Sequence, residues 1–432
     1  MKWLYLAALA LLLQACGGGD EAASDGGLPQ AVCSVADQRA LLNRFMGQEY
    51  YWYAQMGTPD GKAESLDAYF QSLLYKPVDR FSFSESTAAH NQLFVDGRRV
   101  GFGYSLVWTD DTRATMRVRN VEPLSPVARA GLARGDTVLS IDGYSPADVA
   151  AGVLPLVNTP GVIRSFYVRK VSGELRSITV RSEDFALSPV AGTATFDVTR
   201  NGAPVKVAYL AYHQFVGYTQ SQLEQAFARF REQGASEIIL DLRYNGGGSV
   251  SVSRDLAGMI GGRRTAGQTY TYLQYNDRLP ANKFPITFSQ QAASGFDRVV
   301  VVGSGATASA SELLINGLRP FMDVVLLGET TYGKPFGFSP RNFCGITYNA
   351  VEFETSNALG VGGYTAGFTP DCQVADDLDH ELADPAERRL RAALDYVATG
   401  RCAPQPQALT AKRPSAPAEV FGETAPSQMF AQ

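Results

Sequence analysis

Residues 303–334 read GSGATASASELLINGLRPFMDVVLLGETTYGK, and the rest of the chain is best read outward from them. Glu312, Leu313, Leu314 and Leu318 have the spacing of a short helix that Pro320 stops, and residues 324–327 then read as a buried strand. Ser309 stands just ahead of the helix, where unpaired backbone N–H groups gather. That setting suits a nucleophile whose reaction builds an oxyanion. Lys334 stands on the Gly-rich turn after the strand and can reach back towards it. A desolvated amine there titrates below its ordinary ~10.4 and can act as a general base. The plainer alternative is a small residue capping a helix and a solvated lysine.

The chain has 432 residues, too many for one ordinary core, so two or three domains are expected. With 45% hydrophobic and 19% charged residues it has the composition of a globular protein, and a net charge of −5 gives no reason to propose nucleic acid as a partner. Lys2 precedes an apolar run from Leu4 to Leu13. The run is too short for a good membrane span but suits the core of a signal peptide, and no second run of ~20 apolar residues follows. Residues 17–27, GGGDEAASDGG, read as a flexible polar tether.

Residues 31–95 read as helical, with apolar three- and four-residue spacing over 35–46 and 66–74. Tyr50, Tyr51, Trp52 and Tyr53 read as a packing cluster. Between 97 and 185, strands at 118–121 and 138–141 bracket a short helix at 126–130, and an Asp142-Gly143 turn follows. From about 190 the pattern turns α/β. Strands are expected at 205–212, 237–242, 298–302 and 324–327, and helices at 219–233 and 249–260. Such alternation predicts a mainly parallel sheet with its site at the carboxyl ends of the strands. The strand at 237–242 runs into RYNGGG at 243–248. Without Cβ atoms, the backbone there can turn sharply and aim an N–H at a reacting carbonyl oxygen. No Lys-Ser/Thr follows, which argues against a phosphate loop. Asp241 and Arg243 read as an ion pair bracing that loop. Residues 403–432 are rich in Pro, Ala and Ser and read as disordered.

TASASE at 307–312, with the lysine of GETTYGK 25 positions after its central serine, resembles the active-site segment of the C-terminal processing peptidases, also called tail-specific proteases. The resemblance implies a Ser309 nucleophile and a Lys334 base. DLRYNGGG at 241–248 is similar to that family's D-L-R-x-N-x-G-G and implies Gly247 or Gly248 as one oxyanion donor, with the Ala310 N–H as the other. DRFSF at 79–83 resembles the segment that ends the family's N-terminal region. GFGY at 101–104 and VRNVEPLSPVARAGLARGDTVLSIDG at 118–143 resemble a PDZ domain. There the amides around Gly101, Phe102, Gly103 and Tyr104 would capture a peptide's terminal carboxylate beside an added strand. One departure stands out: the family often has a glutamine after the lysine to orient it, and Phe338 takes that place here.

Leu13-Gln14-Ala15-Cys16 resembles the bacterial lipobox, implying cleavage before Cys16 and lipidation of its thiol; Gly17 favours sorting to the outer membrane. Four cysteines then remain, which in an exported chain suggests two disulfides with three pairings. Cys344 with Cys372, close in sequence, and Cys33 with Cys402, at the two ends of the folded region, are the favoured pairs.

The expectation is a multidomain α/β protein: signal peptide 1–15, tether 16–30, helical N-terminal region 31–95, PDZ β-domain 97–185, crotonase-like α/β protease core 190–402 and tail 403–432. It would be a lipid-anchored serine endopeptidase of the bacterial cell envelope that acts on protein or peptide substrates through their C-terminal tails. No metal or other cofactor is implied, since there is no HExxH and no Cys/His ligand cluster. A PDZ-containing binding protein with impaired catalysis is the alternative, and an acyl-CoA enzyme a third reading that the export signal opposes. His213, the obvious base for a Ser-His-Asp triad, reads as peripheral beside Lys334, His380 more so, and His90 reads as an ordinary surface histidine.

Overall fold

Ser34 opens α1 (Val35–Glu49) and Ser65 opens α2 (Leu66–Leu73), each hydroxyl accepting from a backbone N–H three residues on. The computed structural model describes residues 33–154, 157, 159–279, 281–290, 293, 295–403 and 420–421. The expected signal peptide, the lipidated Cys16 and the tether lie outside the described residues, as does most of the expected tail. Leu42, Phe45 and Met46 of α1 meet Phe70 and Leu73 of α2 around a fully buried Tyr50, so the aromatic cluster packs as expected. The stretch before residue 95 is not all helical: β1 (Phe83–Ser86) is a strand that runs into α3 (Thr87–Phe94).

The next region is a β-domain with β2 (Arg98–Gly101), β3 (Tyr104–Trp108), β4 (Met116–Val121), α4 (Pro126–Arg129), β5 (Thr137–Ile141), α5 (Pro146–Ala150), β6 (Ile163–Arg169), β7 (Leu175–Arg181) and β8 (Glu183–Ala186). Consecutive strands β3 to β7 pair antiparallel, and β2 pairs with β8. Along β6 every second residue is buried, the period-2 signature of a sheet with one wet face. Phe102, Tyr104, Leu106, Val118, Ile141 and Phe166 fill the core.

The remaining chain gives β9 (Val190–Arg200), β10 (Ala203–Tyr212), α6 (Gln220–Glu232), β11 (Glu237–Asp241), α7 (Val250–Gly261), β12 (Thr269–Tyr275), β13 (Lys283–Thr287), β14 (Arg298–Gly303), α8 (Ala310–Leu318), β15 (Asp323–Gly328), β16 (Phe336–Gly337), β17 (Arg341–Phe343), β18 (Ile346–Asn349), β19 (Phe353–Ser356), β20 (Cys372–Gln373) and α9 (Arg388–Thr399), with β21 (Val420–Phe421) after it. The central sheet has the order β20-β15-β14-β11-β10-β9 and is parallel except for β9. The middles of its inner strands are apolar because both faces are covered. Leu223, Phe227, Leu256 and Leu314, from α6, α7 and α8, cover one face, and Leu390, Ala393 and Val397 of α9 cover the other. Two small sheets, β1-β18-β17 and β13-β12-β19-β16, lie beside it, and β21 adds to β3.

The disulfide pairing differs from the favoured one. Cys33 is bonded to Cys344 and Cys372 to Cys402, with Cα–Cα distances of 5.7 and 5.4 Å. Cys344 is the turn between β17 and β18, in the layer the N-terminal helices pack on, so it meets Cys33 at the foot of α1. Cys372 lies on the edge strand β20 of the central sheet, and Cys402 follows α9, which lies along that sheet. Cys344 and Cys372 are close in sequence but belong to different layers.

Candidate active site

β14, β11 and α8 meet where the sheet's carboxyl ends open. Between β14 and α8 the chain is stitched to the Gly-rich loop. Thr307 Oγ1 donates to the Leu242 carbonyl at 2.8 Å, while the Ala308 N–H and the Ser311 hydroxyl both donate to the Asn245 carbonyl, at 3.1 and 2.9 Å. Held this way, Ser309 has φ 54° and ψ −115°, a backbone state costly for a residue with a Cβ and typical of strained functional positions.

Glu312, one turn into α8, is fully buried. Its Oε2 accepts from the N–H of Ser309 at 3.1 Å and from the N–H of Lys334 at 2.8 Å; its Oε1 accepts from the Gly333 N–H at 2.7 Å and the Thr331 hydroxyl at 2.6 Å. One carboxylate oxygen therefore joins the backbones of the two residues singled out in the sequence. Burial pushes the Glu312 carboxyl up, against the pull of those donors.

Lys334 is 3% exposed, and burial draws its amine down to about 8, with Asp79 and Glu312 pulling the other way. Its Nζ stands 4.7 Å from the centroid of the Phe338 ring, so the aromatic side chain does face the lysine. Ser309 and Lys334 line one cavity of about 540 Å³ with Phe83, Phe94, Leu273, Tyr275, Phe338 and Phe353. No hydrogen bond joins their side chains among the described residues; such contacts commonly tighten only when substrate is bound.

At 241–248 the structure separates the two candidate glycines. The Gly247 N–H donates to Asn245 Oδ1 at 2.9 Å, so it is engaged. Gly248 lines the cavity, and among the described residues nothing accepts from its N–H. The same holds for the Ala310 N–H at the first position of α8. Gly247 has φ 109°, and a Cβ there would stand 2.8 Å from Ser309 Cβ and 3.0 Å from the Ala310 nitrogen; at Gly248 it would meet the Phe215 carbonyl at 2.2 Å. Both must be glycine.

Asp241 and Arg243 are the expected brace. Arg243 forks onto Asp241 at 2.7 Å and onto Glu387, the cap of α9, at 2.8 and 2.9 Å. Burial pushes the Asp241 carboxyl up, but Arg243 overrides it and holds it below the usual range. Arg80 of DRFSF donates to the carbonyls of Tyr332 and Gly333, clamping the turn that carries Lys334, and Asp79 accepts from Tyr50, Phe81 and Ser82.

His213 is excluded from the cavity lining. Both its ring nitrogens are shut from solvent and have no hydrogen-bond partner among the described residues, and burial draws the ring down to about 4. His380 bonds to Asp377 at 2.9 Å on the surface. His90 is not an ordinary surface histidine: it is largely buried, bonds to Glu85 at 2.9 Å and lines the Ser309 cavity. In the β-domain, Phe102 and Tyr104 point into the core, so the 101–104 loop can offer a ligand only its backbone. Glu312, Arg80 and His90 were the residues sequence reasoning missed; for Glu312 the signal was the S-x-x-E spacing of a capping box.

Residues 206–374 match peptidase family S41, and residues 37–83 match the peptidase S41 N-terminal domain. The chain belongs to peptidase family S41. It is 31% identical over 289 residues to the carboxyl-terminal-processing protease of Synechocystis, covering 64% of this chain and 63% of that one. It is 27% identical over 250 residues to the chloroplastic carboxyl-terminal-processing peptidase 1 of Arabidopsis thaliana, covering 56% of this chain and 48% of the relative. The S41 chain thus spans less than two thirds of the length of either relative. A crystal structure of an S41 protease from Bacteroides fragilis superposes with a TM-score of 0.69 at 26% identity, covering 83% of this chain and 96% of that one.

Proposed function

We propose that this S41 protein is a serine endopeptidase acting through a Ser309–Lys334 dyad. The observation that carries the reading is the Glu312 carboxylate, whose single oxygen Oε2 binds the backbones of both residues beside one largely apolar cavity. Neutral Lys334 takes the proton from Ser309 Oγ as it attacks the scissile carbonyl. The Gly248 and Ala310 N–H groups receive the oxyanion. Lys334 then gives its proton to the departing amine, takes a proton from the water that attacks the acyl group, and returns that proton to Ser309 Oγ as the acyl group leaves.

By the same reading, the β-domain of strands β3 to β7 is a PDZ domain that recognises or gates C-terminal tails through the 101–104 loop. The core is crotonase-like, and lipid on Cys16 anchors the enzyme in the cell envelope, at the outer membrane facing the periplasm. Carboxyl-terminal processing in the named relatives supports tails as the substrate class. The rival reading, a binding protein with impaired catalysis, draws on one observation: an aromatic ring rather than a hydrogen-bond acceptor faces Nζ. Incubating the full chain with a denatured protein and identifying the products by mass spectrometry separates the two. New internal termini that vanish with Ser309→Ala support the peptidase; an intact substrate that nevertheless binds supports the rival.

A further inference from the structure

β3 would be an open edge of its sheet but for one neighbour. β4 pairs on one side of it, and on the other lies β21, from the segment that follows α9. The pairing is antiparallel, with Val420 opposite Val107 and Phe421 opposite Leu106. An open edge offers a row of unpaired N–H and C=O groups, a template for strand addition. The sense of the pairing matters. As numbering rises along the added segment it falls along β3, so the segment heads towards Tyr104 and the Gly101–Gly103 loop. A peptide whose terminal carboxylate is to reach the amides of that loop must run the same way.

We infer that the β3 edge binds extended apolar peptide and that the chain's own Val420–Phe421 segment is a tethered occupant of it, competing with incoming tails. The inference rests on the reading of β3 and its loop as the peptide site. Two residue pairs are a weak hold, each cross-strand pair contributing a fraction of a kcal/mol. The tether compensates. The Cys372–Cys402 disulfide fixes the chain at Cys402, and the segment follows in the same chain, so its pairing with β3 is intramolecular, at an effective concentration on the order of millimolar. A weak strand at such a concentration occupies the edge much of the time yet yields to a tail that also places its carboxylate in the loop. It screens out poor ligands without blocking good ones.

The test compares the full chain with a chain ending at Ala403 and with Phe421→Pro, both of which keep the sequence of residues 33–403 intact. Amide hydrogen exchange over residues 104–108 should speed up about fivefold or more in both variants, with β6 and β7 unchanged. An amidated fluorescent peptide of residues 416–424 should bind the shortened chain about three- to tenfold more tightly than the full chain. Equal exchange at β3 in all three proteins, or equal or absent binding of that peptide to both lengths, overturns the inference. The underlying reading answers to another readout, competition by substrate tails ending in a free carboxylate. If β3 loses protection on shortening but such tails never displace the peptide, the tethered occupant stands and the substrate site falls. If the tails bind both lengths equally well, the occupant falls and the substrate site stands.

Discussion

Glu312 holds the two residues of the proposed dyad together, because four donors converge on its buried carboxylate. Glu312→Gln keeps the shape but turns one acceptor oxygen into a donor facing N–H groups. Leaving a buried donor unpaired costs about 1–3 kcal/mol. The variant should unfold at a lower temperature, and kcat should fall about tenfold or more with KM little changed; wild-type kcat and melting would remove Glu312 from the account. His213 is the opposite case, its ring nitrogens buried with no hydrogen-bond partner among the described residues. Its folded-state pKa, about 4, lies below the unfolded value of 6.5, so the unfolded chain takes up the proton first. His213 therefore favours the folded state fully above pH 6.5, and this contribution fades as pH falls towards 4. His213→Leu should flatten that acid slope in thermal melts and leave proteolysis intact. A slope unchanged from wild type would show that His213 is not the titrating group. At this scale the sequence was partly legible. Ser309 and Lys334 declared themselves by motif and spacing, whereas His90 gave no sign, because only packing brings α3 to the cavity.

The elements of the core were the easiest part to foresee. Runs such as residues 299–302, VVVV, short and wholly β-branched, read as a strand buried on both faces, and the helices between them end within a residue or two of where their spacing stops. β1 was missed because four residues, FSES, carry too little pattern to outweigh the helical spacing around them. The glycine loop was legible in kind but not in detail. Its turn was foreseen, but which N–H stays free depends on Asn245, whose amide oxygen takes the Gly247 N–H and leaves Gly248 open. The space around Gly247 gives this a sharp test. Gly247→Ala sets a Cβ against Ser309 and strains a φ of 109°, so kcat should drop about 100-fold or more, the size of losing an oxyanion donor. The fold should survive, as circular dichroism can check; a fully active Gly247→Ala would mean the loop does not abut the reacting atoms.

Across the whole molecule, long-range packing escaped the sequence most completely. The N-terminal helices pack on Phe336, Tyr348 and Val351, near the far end of the chain, and the Cys33–Cys344 disulfide ties that layer together. Neighbourhood in sequence pointed the cysteines elsewhere, since it says nothing about which layer a strand joins. The proposed anchor is testable at the same scale: Cys16→Ser should leave an uncut or mislocalised precursor without fatty-acid label, and normal membrane retention of that variant would refute lipidation at Cys16. The account as a whole turns on a lysine that works neutral. Burial sets the Lys334 amine at about 8, and only its unprotonated form can accept the serine proton, so activity must be lost as pH falls through that value and be complete above it. The deciding measurement is kcat/KM for cleavage of an unfolded protein from pH 6 to 10, in the wild type and in Lys334→Ala. A rise through a single ionisation near pH 8, absent with the Lys334→Ala variant, is the predicted result. A profile flat across that range, or cleavage that persists without Lys334, would contradict the dyad.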